Sequence, residues 1–368
     1  AEYYETIVIG GSQAGLAAGY YLAREGHEFL ILEANDSVGD AWRNRWDSMR
    51  LFTPAKFSRL PGMRIPGASE WSFVTKNEMA DYLEEYARRF ELPVRTGVTV
   101  DGLTKVDGWF VVSAGDRRFE AKNVIVATGA HRIAKLPDFA SELDPRIVQM
   151  HSSEYREPSQ LAEGDVLVVG AGNSGAEIAY ELVDSRPCLL AGKSPGQIPV
   201  PHGSLRFRPG FRVFRFFIHR IVRIDTRIGR KLRPELLTHA APLIRRREQD
   251  LAAVGIERVE RVAGVRDGLP VLADGRVVDV PNVIWCTGFR NDFSWIDLPV
   301  FDGGGQPRHY RGVVESEPGL YFLGLVFQYS ASSDVLPSRG RDARYIAKHI
   351  AKQREHGAVE PAEVLAAA

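Results

Sequence analysis

The sequence predicts an α/β protein with two Rossmann-like dinucleotide-binding domains, the second inserted into the first and each carrying a β-meander. Three observations predict this. A glycine-rich strand-to-helix turn lies at 166–179, an echo of it lies at 6–18, and each is followed by short strands ending in Thr-Gly.

In the later copy, Val166-Leu167-Val168-Val169 reads as a strand buried on both faces. Gly170 can take the sharp turn, Gly172 lets a pyrophosphate approach the backbone, and Gly175 lets the following helix pack on the strand. Backbone N–H groups at that helix N-terminus would face the phosphates. A bare GxGxxG would arise by chance roughly 0.3 times in such a chain, so the flanking strand and helix patterns carry the reading. The earlier copy, Thr6-Ile7-Val8-Ile9-Gly10-Gly11-Ser12-Gln13-Ala14-Gly15, has the same shape with Ser12 at the second glycine position, where a hydroxyl can still bond phosphate.

Residues 13 to 25 read as a helix and Leu30-Ile31-Leu32-Glu33 as a second parallel strand. Glu33 lies 23 residues beyond Gly10, where a carboxylate can accept hydrogen bonds from an adenosine ribose. The Trp- and Arg-rich stretch 39–54 lacks periodicity; it could wrap a flat polar ring system or pack its tryptophans on the core. Lys76 to Glu91 form an amphipathic helix whose Met79, Leu83, Tyr86 and Phe90 point to a core. Strands at 98–100, 109–112 and 119–121 then lead to Asn123–Gly129, and strands at 259–262, 270–272 and 277–280 lead to Val283–Phe289. Links are expected at 138–164 and near Pro281, giving domains at 1–162, 163–284 and 285–368, with the last rejoining the first.

Composition excludes several classes. Lys plus Arg and Asp plus Glu are both 47, so no nucleic-acid preference follows. Cys188 and Cys286 stand far apart inside apolar runs and no CxxC occurs, which argues against a dithiol reductase and a zinc site. Nine histidines show no ligand spacing, so no metal is expected. A first strand beginning by Thr6 and the lack of an 18-residue apolar run predict a cytoplasmic protein. Oligomeric state is not legible.

Taken together, the two glycine turns, the two Thr-Gly strand ends, the 42–54 loop and Met150-His151-Ser152-Ser153-Glu154-Tyr155 resemble the class B flavin-dependent monooxygenases. The nearest branch is similar to bacterial CzcO-like proteins, to flavin-containing monooxygenases and to plant indole-pyruvate monooxygenases. His151 and Tyr155 match the family fingerprint, whereas Pro145 and Ile147 stand where it has Phe and Gly. The resemblance implies FAD on Gly10, Ser12, Gly15 and Glu33, with Trp42, Arg43, Thr128 and Gly129 beside it. It implies the nicotinamide nucleotide on Gly170, Gly172, Asn173, Ser174 and Gly175, with Thr287 and Gly288 nearby. No protein nucleophile is certain; Trp42, Thr53, Gln328 and Tyr329 are the candidates near the flavin, and Gly324-Leu325 replaces the Gly-Asp of many flavoproteins. His151 would link the two domains.

The strand at 187–192 ends without an acid and continues into Lys193 and Ser194, which suits a ribose 2′-phosphate and favours NADPH over NADH. The implied activity is an NADPH-consuming monooxygenase that inserts one atom of O2 into a small organic substrate (N-, S-oxygenation or keto-acid type) through a flavin C4a-(hydro)peroxide. The alternative is a non-oxygenating NADPH-dependent reductase or electron donor associated with ion export. The segment 193–250 holds fourteen basic residues against four acidic, a local net charge of +10. Arg212, Arg215, His219, Arg223, Arg227 and Arg230 recur at helical steps with Phe217, Ile221, Ile224 and Ile228 opposite, predicting an amphipathic basic helix. It reads as a lid over the NADPH and substrate entrance, as a solvated outer face or, ranked last, as a membrane contact through 211–230.

Overall fold

The computed structural model describes residues 2–129, 133–238 and 240–366, with side chains to residue 355. Its first part runs β1 (Glu2–Ile9), α1 (Gln13–Arg24), β2 (Phe29–Leu32), α2 (Asp40–Arg43), α3 (Ala55–Ser58), α4 (Lys76–Arg89), β3 (Val94–Arg95), β4 (Gly102–Val106), β5 (Trp109–Ala114), β6 (Arg117–Val126) and β7 (Ile133–Ala134). Next come β8 (Val148–His151), β9 (Val166–Val169), α5 (Asn173–Leu182), β10 (Cys188–Ala191), α6 (Phe207–Phe216), α7 (Arg227–Thr238), α8 (Glu248–Ala253), β11 (Glu257–Val259), β12 (Val262–Arg266), β13 (Leu269–Leu272) and β14 (Asn282–Trp285). The chain returns through β15 (Phe289–Arg290) and β16 (Leu320–Phe322) to α9 (Leu336–Ala366).

The first sheet has the order β3-β2-β1-β6-β5-β4, with β16 also on β6. Long β6 divides one edge between an antiparallel β5 over 117–121 and a parallel β16 over 124–126. Strand alternation then sorts the core. Val8, Ile31, Ile125 and Tyr321 face α1, α4 and α9, while Ile7, Ile9, Leu30, Leu32 and Val126 face Leu103, Phe110 and Val112 of the meander. The second sheet, β11-β10-β9-β14-β8, is parallel throughout. It repeats the plan: Val166, Val168, Leu190 and Ile284 meet α5 and α8, and Leu167, Val169, Leu189 and Trp285 meet the β12–β13 hairpin side. Each such buried aliphatic side chain contributes on the order of 1.5–3 kcal/mol, so the two-faced burial predicted for these strands is what seats them.

Three local expectations are revised. Val98 and Val100 are buried but the segment is not a strand, because Val98 N–H goes to Glu33 O outside a ladder. Strand β8, inside the 1–162 range, hydrogen-bonds to β14 in the second sheet, and β14 begins only after Pro281, so the described segments that leave one sheet for the other are 127–129, 133–135 and 286–291 instead. There the two passing segments pair with each other, Phe289 opposite Ala134 and Arg290 opposite Ile133. Finally, the basic helix is not continuous. Helix α6 ends in a π-helical turn at Phe217–Ile221 and the chain leaves helical geometry at Val222 (φ -86°, ψ 77°) before α7 begins. The break exists because this stretch pairs with the C-terminal loop: Ile224 N–H donates to Tyr329 O (2.9 Å) and Ala331 N–H to Val222 O (3.0 Å). No helix among the described residues is long and apolar enough to cross a membrane.

Candidate functional site

The two glycine turns are built alike, atom for atom, at equivalent ends of the two sheets. Gly10 and Gly170 have φ +110° and +108°, a region open to glycine. A Cβ on Gly10 would meet Ala127 O at 2.6 Å, and one on Gly170 would fall onto Cys286 O. A Cβ on Gly15 would fall onto Gly10 O, and one on Gly175 onto Gly170 O. These four glycines are required by backbone packing. Gly172 is different: a Cβ there would meet only Ala240 Cβ, at 3.9 Å. Beyond its chain neighbours, no other described residue comes within 4 Å of that position, as expected where a phosphate comes close. In the first turn Ser12 stands at this position, with extended backbone and its Oγ on Gln13 Oε1 (2.5 Å).

Glu33 sits just beyond β2, 5% exposed. Its Oε2 accepts from Gly11 N–H (2.7 Å) and its Oε1 from the backbone and side-chain N–H groups of Asn35 (2.9 and 2.6 Å). Gly11 was not singled out in the sequence, yet a Cβ there would lie 2.8 Å from Glu33 Cβ. Its signal was the unusual Gly-Gly pair. In the second sheet the register gives the counterpart. Ile9 pairs with Leu32 and Val169 with Ala191, so the residue after Ala191, Gly192, occupies the place of Glu33. No carboxylate is present there. Lys193 follows, exposed, and Arg258 donates through Nη2 to Gly192 O (2.8 Å). Arg258 Nη1 is buried without a hydrogen-bond partner among the described residues, 3.7 Å from Glu248 Oε1. Gly192, Arg258, Val259, Glu260, Asp274 and Arg276 line an open cleft of about 340 Å³.

The other expected site residues divide. Trp42 Nε1–H donates to Gln13 Oε1 (3.1 Å), so Ser12, Gln13 and Trp42 form one chain at the α1 N-terminus. The 42–54 loop holds its shape through Lys76, 6% exposed, which donates to Arg43 O, Arg45 O and Asp47 Oδ1 at 2.6–2.8 Å. Arg43 itself is engaged by Glu84 (2.6 Å), Asp81 (2.7 Å) and Asp40 (3.4 Å), and the Glu84 bond above all raises its pKa. Thr53 is buried on Ser58 (Oγ to Oγ, 2.6 Å). Gln328 staples its own loop, accepting from Gly324 N–H (2.8 Å) and donating to Arg311 O (3.2 Å). The Tyr329 ring lies under the guanidinium groups of Arg311 (3.8 Å) and Arg341 (4.8 Å). Asn173 is occupied by the segment above the second turn, bonding Pro242 O (3.0 Å) and Ile244 N–H (3.0 Å). Ser174 follows it in the first turn of α5. That segment is anchored again by Arg245 on Glu177 (3.3 Å), whose carboxyl is pushed up by burial.

Thr128 and Gly129 leave the first sheet, and Thr287 and Gly288 the second, with Gly129 and Gly288 at φ +79° and +83°. Thr287 Oγ1 donates to Lys135 O and Lys135 N–H to Gly288 O (3.0 Å), which ties the two passing strands. His151, at the end of β8, donates through Nε2 to Gly288 O (3.0 Å) while Nδ1 accepts from Ser153 N–H (3.2 Å). Tyr155 is buried and donates to Glu181 of α5 (3.0 Å). Among the described residues no group of His, Cys, Asp and Glu could hold a metal.

The profile of the pyridine nucleotide-disulphide oxidoreductases matches residues 7–187. A CzcO-like oxidoreductase of Geobacillus kaustophilus is 41% identical, over 94% of this chain and 98% of its own. This chain belongs to the class B flavin-dependent monooxygenase family. Within that family it is similar to an indole-3-pyruvate monooxygenase of rice (Oryza sativa subsp. japonica), 28% identical over 90% of this chain and 89% of that protein. The flavin-containing monooxygenase from Stenotrophomonas maltophilia superposes with a TM-score of 0.77 at 28% identity, covering 96% of this chain and 99% of its own.

Two outcomes follow for this member of the family. Gly172→Ala leaves unfolding free energy within about 0.5 kcal/mol of the parent but weakens nucleotide binding about tenfold or more, whereas Gly175→Ala costs about 3 kcal/mol through overpacking against Gly170; denaturation and nucleotide titration check both. Burial also lowers the pKa of His202, His219 and His309 from 6.5 to about 4, and that of His151 in the same direction. These rings are neutral in the fold and take up protons on unfolding below pH 6.5. Stability is therefore full above that value and falls as pH drops toward 4, and melting temperatures measured across this range are expected to decline.

Proposed function

We propose that this chain is an FAD-dependent, NADPH-consuming monooxygenase that transfers one oxygen atom from O2 to a small organic substrate, by N- or S-oxygenation or on a keto acid. The contrast between Glu33 and Gly192 at equivalent positions carries the reading. A buried carboxylate beside Gly11 N–H fits the two ribose hydroxyls of FAD on the first turn. A glycine flanked by Lys193, with the Arg258 guanidinium on its carbonyl, suits a 2′-phosphate on the second. The space before Gly172, where a Cβ would meet only Ala240 Cβ at 3.9 Å among the described residues, is what a bound dinucleotide would use.

Bound there, FAD would supply hydride acceptance and oxygen activation, the chemistry that the protein side chains lack. The residues on the page bind and orient. Ser12 and the α1 N-terminus lie where the pyrophosphate of FAD would come, and Ser12, Gln13 and Trp42 fix the loop beside it. The segment 240–247 is held beside the second turn by Asn173 and Glu177. A thiol-based reductase finds no support: burial pushes both Cys188 and Cys286 up to about 12, so neither is a thiolate near neutral pH.

Stopped-flow spectroscopy tests the reading. NADPH is expected to bleach the flavin anaerobically, and mixing the reduced protein with O2 to give a spectral transient before the oxidised spectrum returns. Return without a transient would favour the non-oxygenating reductase or electron donor, and failure to bind FAD would remove both. Lys193→Ala combined with Arg258→Gln is expected to raise the KM for NADPH about 10- to 100-fold while leaving that for NADH nearly unchanged, since only the 2′-phosphate loses its charged partners.

A further inference from the structure

The stretch from Leu205 to Leu237 turns the middle of its basic stripe toward the protein and leaves apolar side chains exposed. The Arg215 guanidinium lies 4.9 Å from the Phe57 ring centroid, His219 Nδ1 is 3.1 Å from Ser338 Oγ, and Arg223 lies 5.5 Å over the Tyr329 ring and pairs with Asp225 (2.9 Å). Apolar side chains of the same stretch point outward. Leu205, Val213 and Phe216 are 87%, 70% and 60% exposed, and Phe214, Phe217, Ile228, Leu236 and Leu237 are exposed as well. Eight of the thirteen exposed large hydrophobic residues described in the chain lie in this one segment, far beyond single scattered side chains.

The segment cannot roll to hide that face. Val222 to Ile224 are pinned by backbone hydrogen bonds to Tyr329 and Ala331, and Thr226 Oγ1 accepts from Gly229 N–H (3.0 Å) to start α7. Phe207, on the inner side of α6, is buried and packs on Phe73 and His202 (ring centroids 5.8 and 4.9 Å).

The rim charges select the occupant. Between 205 and 237 there are ten basic residues and two acidic ones, and Asp225 is already paired. Arg212, Arg220, Arg227, Arg230, Lys231 and Arg233 are exposed. A second copy using the same face would bring two cationic rims together, which like-charge repulsion opposes. An anionic lipid surface neutralises the rim and takes the phenylalanines into the headgroup and acyl boundary. We propose that residues 205–237 form a docking surface for anionic lipid membranes, on which the protein lies peripherally without spanning.

Sedimentation of the purified full chain with vesicles of phosphatidylcholine alone, or mixed with phosphatidylglycerol, tests this. Binding to the mixed vesicles that weakens as salt rises is expected. Phe216→Ser/Phe217→Ser and Arg220→Glu/Arg227→Glu should each lower the partition coefficient by about tenfold or more. Flavin content and melting temperature report whether the variants fold; if either does not, the lipid and salt dependence of the parent protein still decides. Protein that stays in solution with mixed vesicles, or partitions equally onto neutral ones, overturns the proposal. So does a parent dimer by light scattering that Phe216→Ser/Phe217→Ser converts to a monomer, because a second copy would then cover the face.

Discussion

The structure depends on how closely two helices approach the strands that precede them. At residues 15 and 175 there is no room for a Cβ, because the carbonyl oxygens of Gly10 and Gly170 occupy that space. That contact aims the N-termini of α1 and α5 across the ends of two parallel sheets, where unpaired backbone N–H groups can meet phosphate. A methyl group at either place would lever the helix away from its strand. Keeping this approach sets each helix N-terminus beside the strand end that carries Glu33 in the first sheet and Gly192 in the second.

One scaffold thus serves two ligand chemistries. The turns share their geometry, and the differences lie at single positions around them: Ser12 against Gly172, Glu33 against Gly192, and Arg258 with no counterpart noted in the first sheet. Backbone constraint sets what any dinucleotide would meet, and on the function proposed above these side chains select which one.

Much of this was legible because it is periodic or local. The buried strands, the spacing from Gly10 to Glu33 and the absence of an acid after Ala191 follow from the chain order alone. Interactions that join distant residues were not. Gln13 looks like any helix residue until Trp42 reaches it across the loop, and Gly11 looks redundant until Glu33 packs over it. Arg258 lies 66 residues from the carbonyl it bonds. Strand β8 was assigned by proximity in sequence to the first domain, while its ladder partner β14 comes 134 residues later. In the basic segment the helical period was legible but its interruption was not, because the C-terminal loop that pairs with Val222 and Ile224 lies more than a hundred residues on.

The paired segments at Ile133–Ala134 and Phe289–Arg290 place the entrance and exit of the second sheet side by side. The block between them has a second hold on the rest of the molecule, since Val222 and Ile224 pair with Ala331 and Tyr329, and Phe207 packs on Phe73. A transplant of that block from a relative therefore has to match two splice points, about one ladder spacing apart, and also the surfaces that receive the 205–224 stretch.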